Sequence, residues 1–141
     1  MFIKQLSIFV ENKPGRLAEI TSTLGEHGIN IRALSISDTR DFGIFRLIVN
    51  QPDEAEKCLK EAGYTVSLAQ VIAVVVEDCP GSLAKAMQIL YENGISIDYA
   101  YAFLSKPASV IIRVSDDAAA VEVLQKHGIQ LIKSHDAFLD E

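Results

Sequence analysis

The amino-acid sequence contains its own internal copy. Residues 10–31, VENKPGRLAEITSTLGEHGINI, align with residues 76–97, VEDCPGSLAKAMQILYENGISI, at a constant offset of 66; 11 of these 22 positions are identical, both Pro-Gly pairs among them. After a one-residue change of offset, Phe45–Val49 matches Val110–Val114 and Gly63 matches Gly128. A tandem period of about 65 residues in a chain of 141 admits only folds that can be built twice. Each copy alone has a marginal core by the surface-to-volume argument, which favours packing the copies against each other.

Within the first copy Leu6, Ile8 and Val10 alternate with Ser7 and Phe9, the period of a strand. Pro14 supplies the fixed φ of a helix start, Leu17, Ile20, Thr21 and Leu24 recur at helical spacing, and Gly28 suits the helix end. Ile29–Ser37 and Ile44–Val49 are β-branched and apolar around a turn-forming segment, Asp38–Gly43, which predicts a hairpin. A second helix runs from near Pro52 to Gly63, with Ala55, Cys58, Leu59 and Ala62 on its apolar face, and Thr65–Leu68 reads as a closing strand. The order is β-α-β-β-α-β, the ferredoxin-like arrangement of a four-stranded antiparallel sheet with two helices on one face.

The second copy repeats this order with Val71–Glu77, Ser82–Asn93, Ser96–Ser105, Ala108–Val114, Asp117–His127 and Gln130–Lys133. Two modules are expected, residues 1–69 and 70–141, with only Ala69 and Gln70 left over between the copies. The fold class is therefore α+β: two ferredoxin-like units side by side, giving an eight-stranded antiparallel sheet with four helices on one face. Ser134–Glu141 forms a tail without a structural signal.

Composition narrows the function classes. Hydrophobic residues make up 49% of the chain, too many for intrinsic disorder. The longest apolar run, Val71–Val76, is far shorter than the roughly 20 residues of a membrane-spanning helix, and no basic segment followed by an apolar run marks export. A cytoplasmic protein with reduced Cys58 and Cys79 is expected, with no membrane partner. A net charge of -6 works against nucleic acid as a partner. That charge lies mostly in the second copy, whereas Arg16, Arg32, Arg40 and Arg46 all fall in the first.

The segment Asn12-Lys13-Pro14-Gly15-Arg16-Leu17 is the most informative. Gly15 removes a side chain at the start of a helix whose first amides lack intrahelical partners, and the helix dipole adds to their pull on a carboxylate or phosphate. The same residues would also serve as a plain tight turn into an amphipathic helix.

These residues resemble a family. E-N-K-P-G-R-L-A, then L-G-E-H-G-I-N-I and D-F-G-I-F-R, looks like an ACT domain, a small regulatory module that binds amino acids; E-D-C-P-G-S-L-A with L-Y-E-N-G-I-S-I looks like another. The resemblance covers residues 3 to about 133. It implies an effector amino acid held by the first strand-to-helix turn of one module and by the start of the second strand of a neighbouring module. In serine-binding members the recurring polar contacts are asparagines, which match Asn12 and Asn30 here. The implied set is Asn12, Lys13, Pro14, Gly15, Arg16, Leu17, Asn30 and Ile31 in the first copy. In the second it is Asp78, Cys79, Gly81, Ser82, Leu83, Ser96 and Ile97. Because Asp78 only accepts where Asn12 both donates and accepts, and Ser82 replaces Arg16, the first copy is the expected main cradle.

Other residues are weaker candidates. Tyr99 and Tyr101 share a strand face and either wall a ligand or pack at an oligomer surface. His27, His127 and His135 are scattered, Cys79 reads as a small turn residue, and no metal or cofactor is expected. The expected protein is a stand-alone amino-acid sensor without a catalytic domain, a homo-oligomeric dimer or tetramer. Two alternatives remain. One is a regulatory subunit of an acetolactate synthase or aspartate kinase; the other is a small acylphosphatase-like hydrolase using Arg16 and Asn30.

Overall fold

The computed structural model describes residues 2–11, 13–38, 41–103 and 107–132. The elements are β1 (Ile3–Glu11), α1 (Arg16–Glu26), β2 (Ile31–Asp38), β3 (Phe42–Val49), α2 (Pro52–Glu61), β4 (Thr65–Val75), α3 (Ser82–Glu92), β5 (Ile97–Phe103), β6 (Ser109–Val114) and α4 (Asp117–Lys126). The chain divides into two compact units. One is Lys4–Ala69; the other contains Phe2, Ile3 and the residues from Gln70 on.

In the first unit β3 pairs antiparallel with β1, Leu6 opposite Leu47 through Glu11 opposite Phe42, and with β2, Ile31 opposite Val49 through Asp38 opposite Gly43. Alternation puts Leu6, Ile8 and Val10 of β1 on the same face as Phe45, Leu47 and Val49 of β3. Against them pack Ile20 and Leu24 of α1, Ala55, Cys58 and Leu59 of α2, and Val66 of β4. Both helices of this unit thus cover one sheet face, the arrangement expected of a β-α-β-β-α-β unit. Burial raises the Cys58 thiol pKa, consistent with a packing role.

The second unit repeats the plan, with Ile72 and Val74 of β4, Ile112 and Val114 of β6, Ala86, Ile89 and Leu90 of α3, and Ala120 and Leu124 of α4. Here β6 pairs antiparallel with both β4 and β5. Asp116 caps α4, its carboxylate accepting from the Ala119 amide at 3.0 Å. Asp117 approaches Arg113 at 3.7 Å and accepts from the Gln70 amide group at 3.1 Å.

The described residues form six strands and four helices, not the expected eight strands. One cause lies at the junction of the copies: Thr65–Leu68 and Val71–Glu77 were expected as two strands, and they are one continuous strand, β4. No glycine or proline interrupts Tyr64–Val76, so nothing turns the chain at Ala69 and Gln70. The other cause is the strand expected over Gln130–Lys133: among its described residues, 130–132, the structure places a single bridge, Leu131 to Val74. The hairpin loop is shorter than Asp38–Gly43, because Phe42 and Gly43 already belong to β3. The helix expected from Pro14 begins at Arg16, after a left-handed Gly15. The tail Ser134–Glu141, with His135, lies outside the described residues.

Candidate functional site

The β1–α1 turn of the first unit is built by backbone. The Lys13 amide donates to the Glu11 carbonyl at 2.8 Å, and Gly15 follows at φ 85°, a left-handed conformation in which any β-carbon would be strained. Gly15 is the N-cap of α1 and offers no side chain to the first-turn amides. Helix geometry leaves the Leu17 and Ala18 amides open to an external acceptor. A β-carbon on Gly15 would meet no atom within 4 Å, so the turn faces open space.

Beside this turn is a cavity of about 200 Å³ lined by Val10, Glu11, Lys13, Gly15, Arg16, Leu17, Ile36, Gly43 and Phe45. Four of the expected residues, Lys13, Gly15, Arg16 and Leu17, come together here. Pro14 is exposed in the same turn. Asn12 lies outside the described residues. Val10, Ile36, Gly43 and Phe45 were not foreseen; they arrive through strand pairing, Val10 opposite Gly43 and Ile36 opposite Phe45. They supply an apolar floor, with Val10 and Phe45 buried and Ile36 47% exposed at the lip.

Arg16, one of the residues that favour the first copy as the cradle, is held in an ion pair. Its guanidinium donates to Glu19 Oε2 at 3.0 Å, and the Tyr64 hydroxyl donates to the same oxygen at 2.7 Å. The Tyr64 hydrogen bond, then that of Arg16, lowers the Glu19 pKa, while burial and the carboxylate acceptor raise that of Tyr64. Lys13 meets Glu11 at 2.7 Å and lowers its pKa by hydrogen bond and charge. Both cations at the turn are therefore charge-balanced, and the open anion-binding groups are backbone amides.

The Arg16–Glu19–Tyr64 bracket lines a second, larger cleft of about 430 Å³, with Phe9, Glu11, Phe42, Gly63 and Thr65 among its walls. The second unit has the matching cleft, about 240 Å³, lined in part by Val75, Glu77, Ser82, Lys85, Gly128, Ile129 and Gln130. By repeat position, Arg16, Glu19 and Tyr64 become Ser82, Lys85 and Ile129, a set that cannot build the bracket. The Glu19 carboxyl is more acidic in the folded chain than in the unfolded one, so its contribution to stability is full above its ordinary value of 4.5 and is lost as pH falls through the lowered folded value. In Tyr64→Phe, the Glu19 titration followed by carboxyl-carbon NMR is expected to move up towards 4.5. An unmoved titration would mean the bracket does not persist in solution.

The turn of the second unit has the same backbone, Gly81 at φ 91° with no side-chain cap. Its side chains differ: Cys79 Sγ lies 2.9 Å from Ser82 Oγ, and Asp78 and Leu83 are exposed. Asn30 and Ser96 open β2 and β5 in matching ways. The Asn30 amide donates to Asn50 Oδ1 at 3.0 Å, and the Ser96 amide to Ser115 Oγ at 3.1 Å. Ile31 and Ile97 follow as the first strand residues, partly buried against their units' cores.

Asn30 and Ile31 do not join the cavity of their own unit. Ile31 pairs with Val49 at one end of β3, whereas Gly43 lies at the other, roughly 20 Å away along the strand. Arg16 and Asn30, which an acylphosphatase-like site needs side by side, are separated in the same way, and Arg16 is already held by Glu19.

Tyr99 and Tyr101 share one face of β5, ring centroids 6.5 Å apart and 17° from parallel. His27 and His127 each donate from Nδ1 to a carbonyl of their own helix, Thr23 and Val123, at 2.8 Å. Among the described residues no group of three or more His, Cys, Asp or Glu is placed to hold a metal, and no helix is long and apolar enough to cross a membrane.

A model of the family described as the ACT domain pair matches residues 1–139. The chain belongs to that family. A crystal structure of a Bacteroides thetaiotaomicron protein is 41% identical and superposes with a TM-score of 0.92, covering 98% of this chain and 96% of that one. The ligand-free regulatory subunit of aspartate kinase from Thermus thermophilus shares the fold, at 20% identity and a TM-score of 0.64 over 87% of this chain and 91% of that one. The acetolactate synthase small subunit of Mycolicibacterium smegmatis is 28% identical over 88 residues, 60% of this chain; the match spans half the length of that curated relative.

Proposed function

We propose that this ACT domain pair is an amino-acid-binding regulatory protein, and that its main effector site is the β1–α1 turn of the first unit. The observation that carries this reading is the cavity that joins the uncapped, left-handed turn to an apolar floor. A free amino acid matches both ends: its carboxylate takes the open Leu17 and Ala18 amides, and its side chain enters the cavity. The Glu11 carboxylate at the rim is the nearby acceptor for its ammonium group. Asn12, at the start of the turn, is the further polar contact that the family resemblance implies.

The remoteness of Asn30 from this cavity supports a site completed by the second-strand start of a neighbouring module. Regulation then works by differential affinity: the effector favours one arrangement of modules, and a homo-oligomer, dimer or tetramer, carries the change to a reader. The second unit has the turn but lacks the Arg16–Glu19–Tyr64 bracket, so its Asp78, Cys79, Gly81, Ser82 and Leu83 form the weaker site. The protein is proposed to work in the cytoplasm, without catalytic residues or cofactor of its own.

A thermal-shift screen of the twenty amino acids tests the reading. An effector at about 100 times its dissociation constant adds about 2.7 kcal/mol of stability, a shift of several degrees. No shift with any of the twenty would remove the proposal. The similarity to an acetolactate synthase small subunit supports a second reading, a dedicated regulatory chain of a biosynthetic enzyme. A stoichiometric catalytic partner on copurification from native extract favours that reading over a stand-alone sensor.

A further inference from the structure

We propose that the first unit's cavity is selective for an L-α-amino acid with an aliphatic side chain, and that Gly43 sets how large that side chain can be. This rests on the effector site proposed above and specifies its ligand class. The floor and lip beyond the turn are Val10, Leu17, Ile36, Gly43 and Phe45, without a polar side chain among them. A hydroxyl or amide carried past the charged rim of Glu11, Lys13 and Arg16 would give up its bonds to water and meet no polar side chain among these five. An aliphatic group loses nothing and covers Ile36, which is otherwise 47% exposed.

Gly43 sits in β3 opposite Val10, with its missing side chain on the cavity face. A β-carbon built there would lie 3.4 Å from Phe45 Cε1 and 3.6 Å from Val10 Cγ2, the two buried residues of the floor. Those are ordinary contact distances, so alanine fits the fold while occupying part of the cavity. The second unit carries that substitution already. Ala108 takes the place of Gly43 by repeat position, its carbonyl accepting from the Val76 amide at 3.1 Å, and Val110 replaces Phe45. Beside the second turn, the positions matching Gly43 and Phe45 thus carry an added methyl group and a smaller side chain.

Calorimetric titration with alanine, valine, leucine and serine tests this. The wild type should prefer valine or leucine over serine by about tenfold or more. Gly43→Ala should weaken leucine about tenfold while leaving alanine within about twofold. Ile36→Ser, at the exposed lip, should weaken leucine and spare alanine in the same way. Serine binding as tightly as valine, or equal losses for alanine and leucine in Gly43→Ala, would overturn the inference while leaving the amino-acid site standing. If none of the four binds, and the screen of twenty is also negative, the effector site itself fails. A melting temperature of Gly43→Ala within a few degrees of the wild type shows that the losses come from the cavity and not from unfolding.

Discussion

Gly15→Asp is expected to weaken effector binding by at least a hundredfold, whereas Gly81→Asp, at the matching position of the second unit, leaves the main site at wild-type affinity. Two effects act together at Gly15. An aspartate at an N-cap position accepts the first-turn amides itself, so the groups proposed to hold the effector carboxylate are already occupied. Its charge also faces that carboxylate: like charges about 4 Å apart cost about 4 kcal/mol at an effective dielectric constant of 20, more than a hundredfold in affinity. The fold should survive. A β-carbon at Gly15 meets no atom within 4 Å, so the cost is the left-handed backbone alone, about 1 kcal/mol for a residue type that tolerates this region better than most.

Gly81, at φ 91° with equally open surroundings, incurs the same strain. The pair of variants therefore separates strain from site. Gly15→Ala adds the strain without the carboxylate and should retain most of the binding. Titration calorimetry on the three variants decides the matter: wild-type affinity in Gly15→Asp would show that the turn is not the cradle.

What was legible in the sequence follows the range of the interactions. The repeat, the helices and the Pro-Gly turn are local, and a periodicity of two or of 3.6 over ten residues reveals them. The Arg16–Glu19 ion pair was also open to inspection, since residues three apart on a helix are neighbours. Tyr64, 45 residues from Glu19, was not, because only the packing of one unit brings them together. Gly43 stood between the two cases. Had the alternation of Phe45 and Leu47 been extended back across the turn-like Asp41-Phe42-Gly43, Gly43 would have fallen on the core face. Turn chemistry outweighed strand period there, and the ladder to Val10 reverses that choice. The eight-strand count failed because each copy was read alone. Counting Ala69 and Gln70 as left over splits the chain there into two strands, although neither residue favours a break.

That uninterrupted strand carries the last prediction. Leu59 of α2 and Leu124 of α4 occupy the same repeat position and are fully buried, one in each unit's core. Leu59→Ala is expected to cost about 2–5 kcal/mol, the sum of lost transfer free energy and the cavity left behind. In a chain of this length that lowers the melting temperature by about 7–17 °C. The number of transitions is the more informative result. β4 supplies Val66 to one core and Ile72 and Val74 to the other, with no glycine or proline between them to act as a hinge. Losing the first core releases one half of a strand whose other half is still required by the second. One cooperative transition is therefore expected in calorimetry, for the wild type and for both variants. Effector bound to the first unit should then raise the melting temperature of Leu124→Ala as much as that of Leu59→Ala, since stabilising either core stabilises the shared strand. Two resolved transitions, with only the first shifted by effector, would show that β4 does not couple the units.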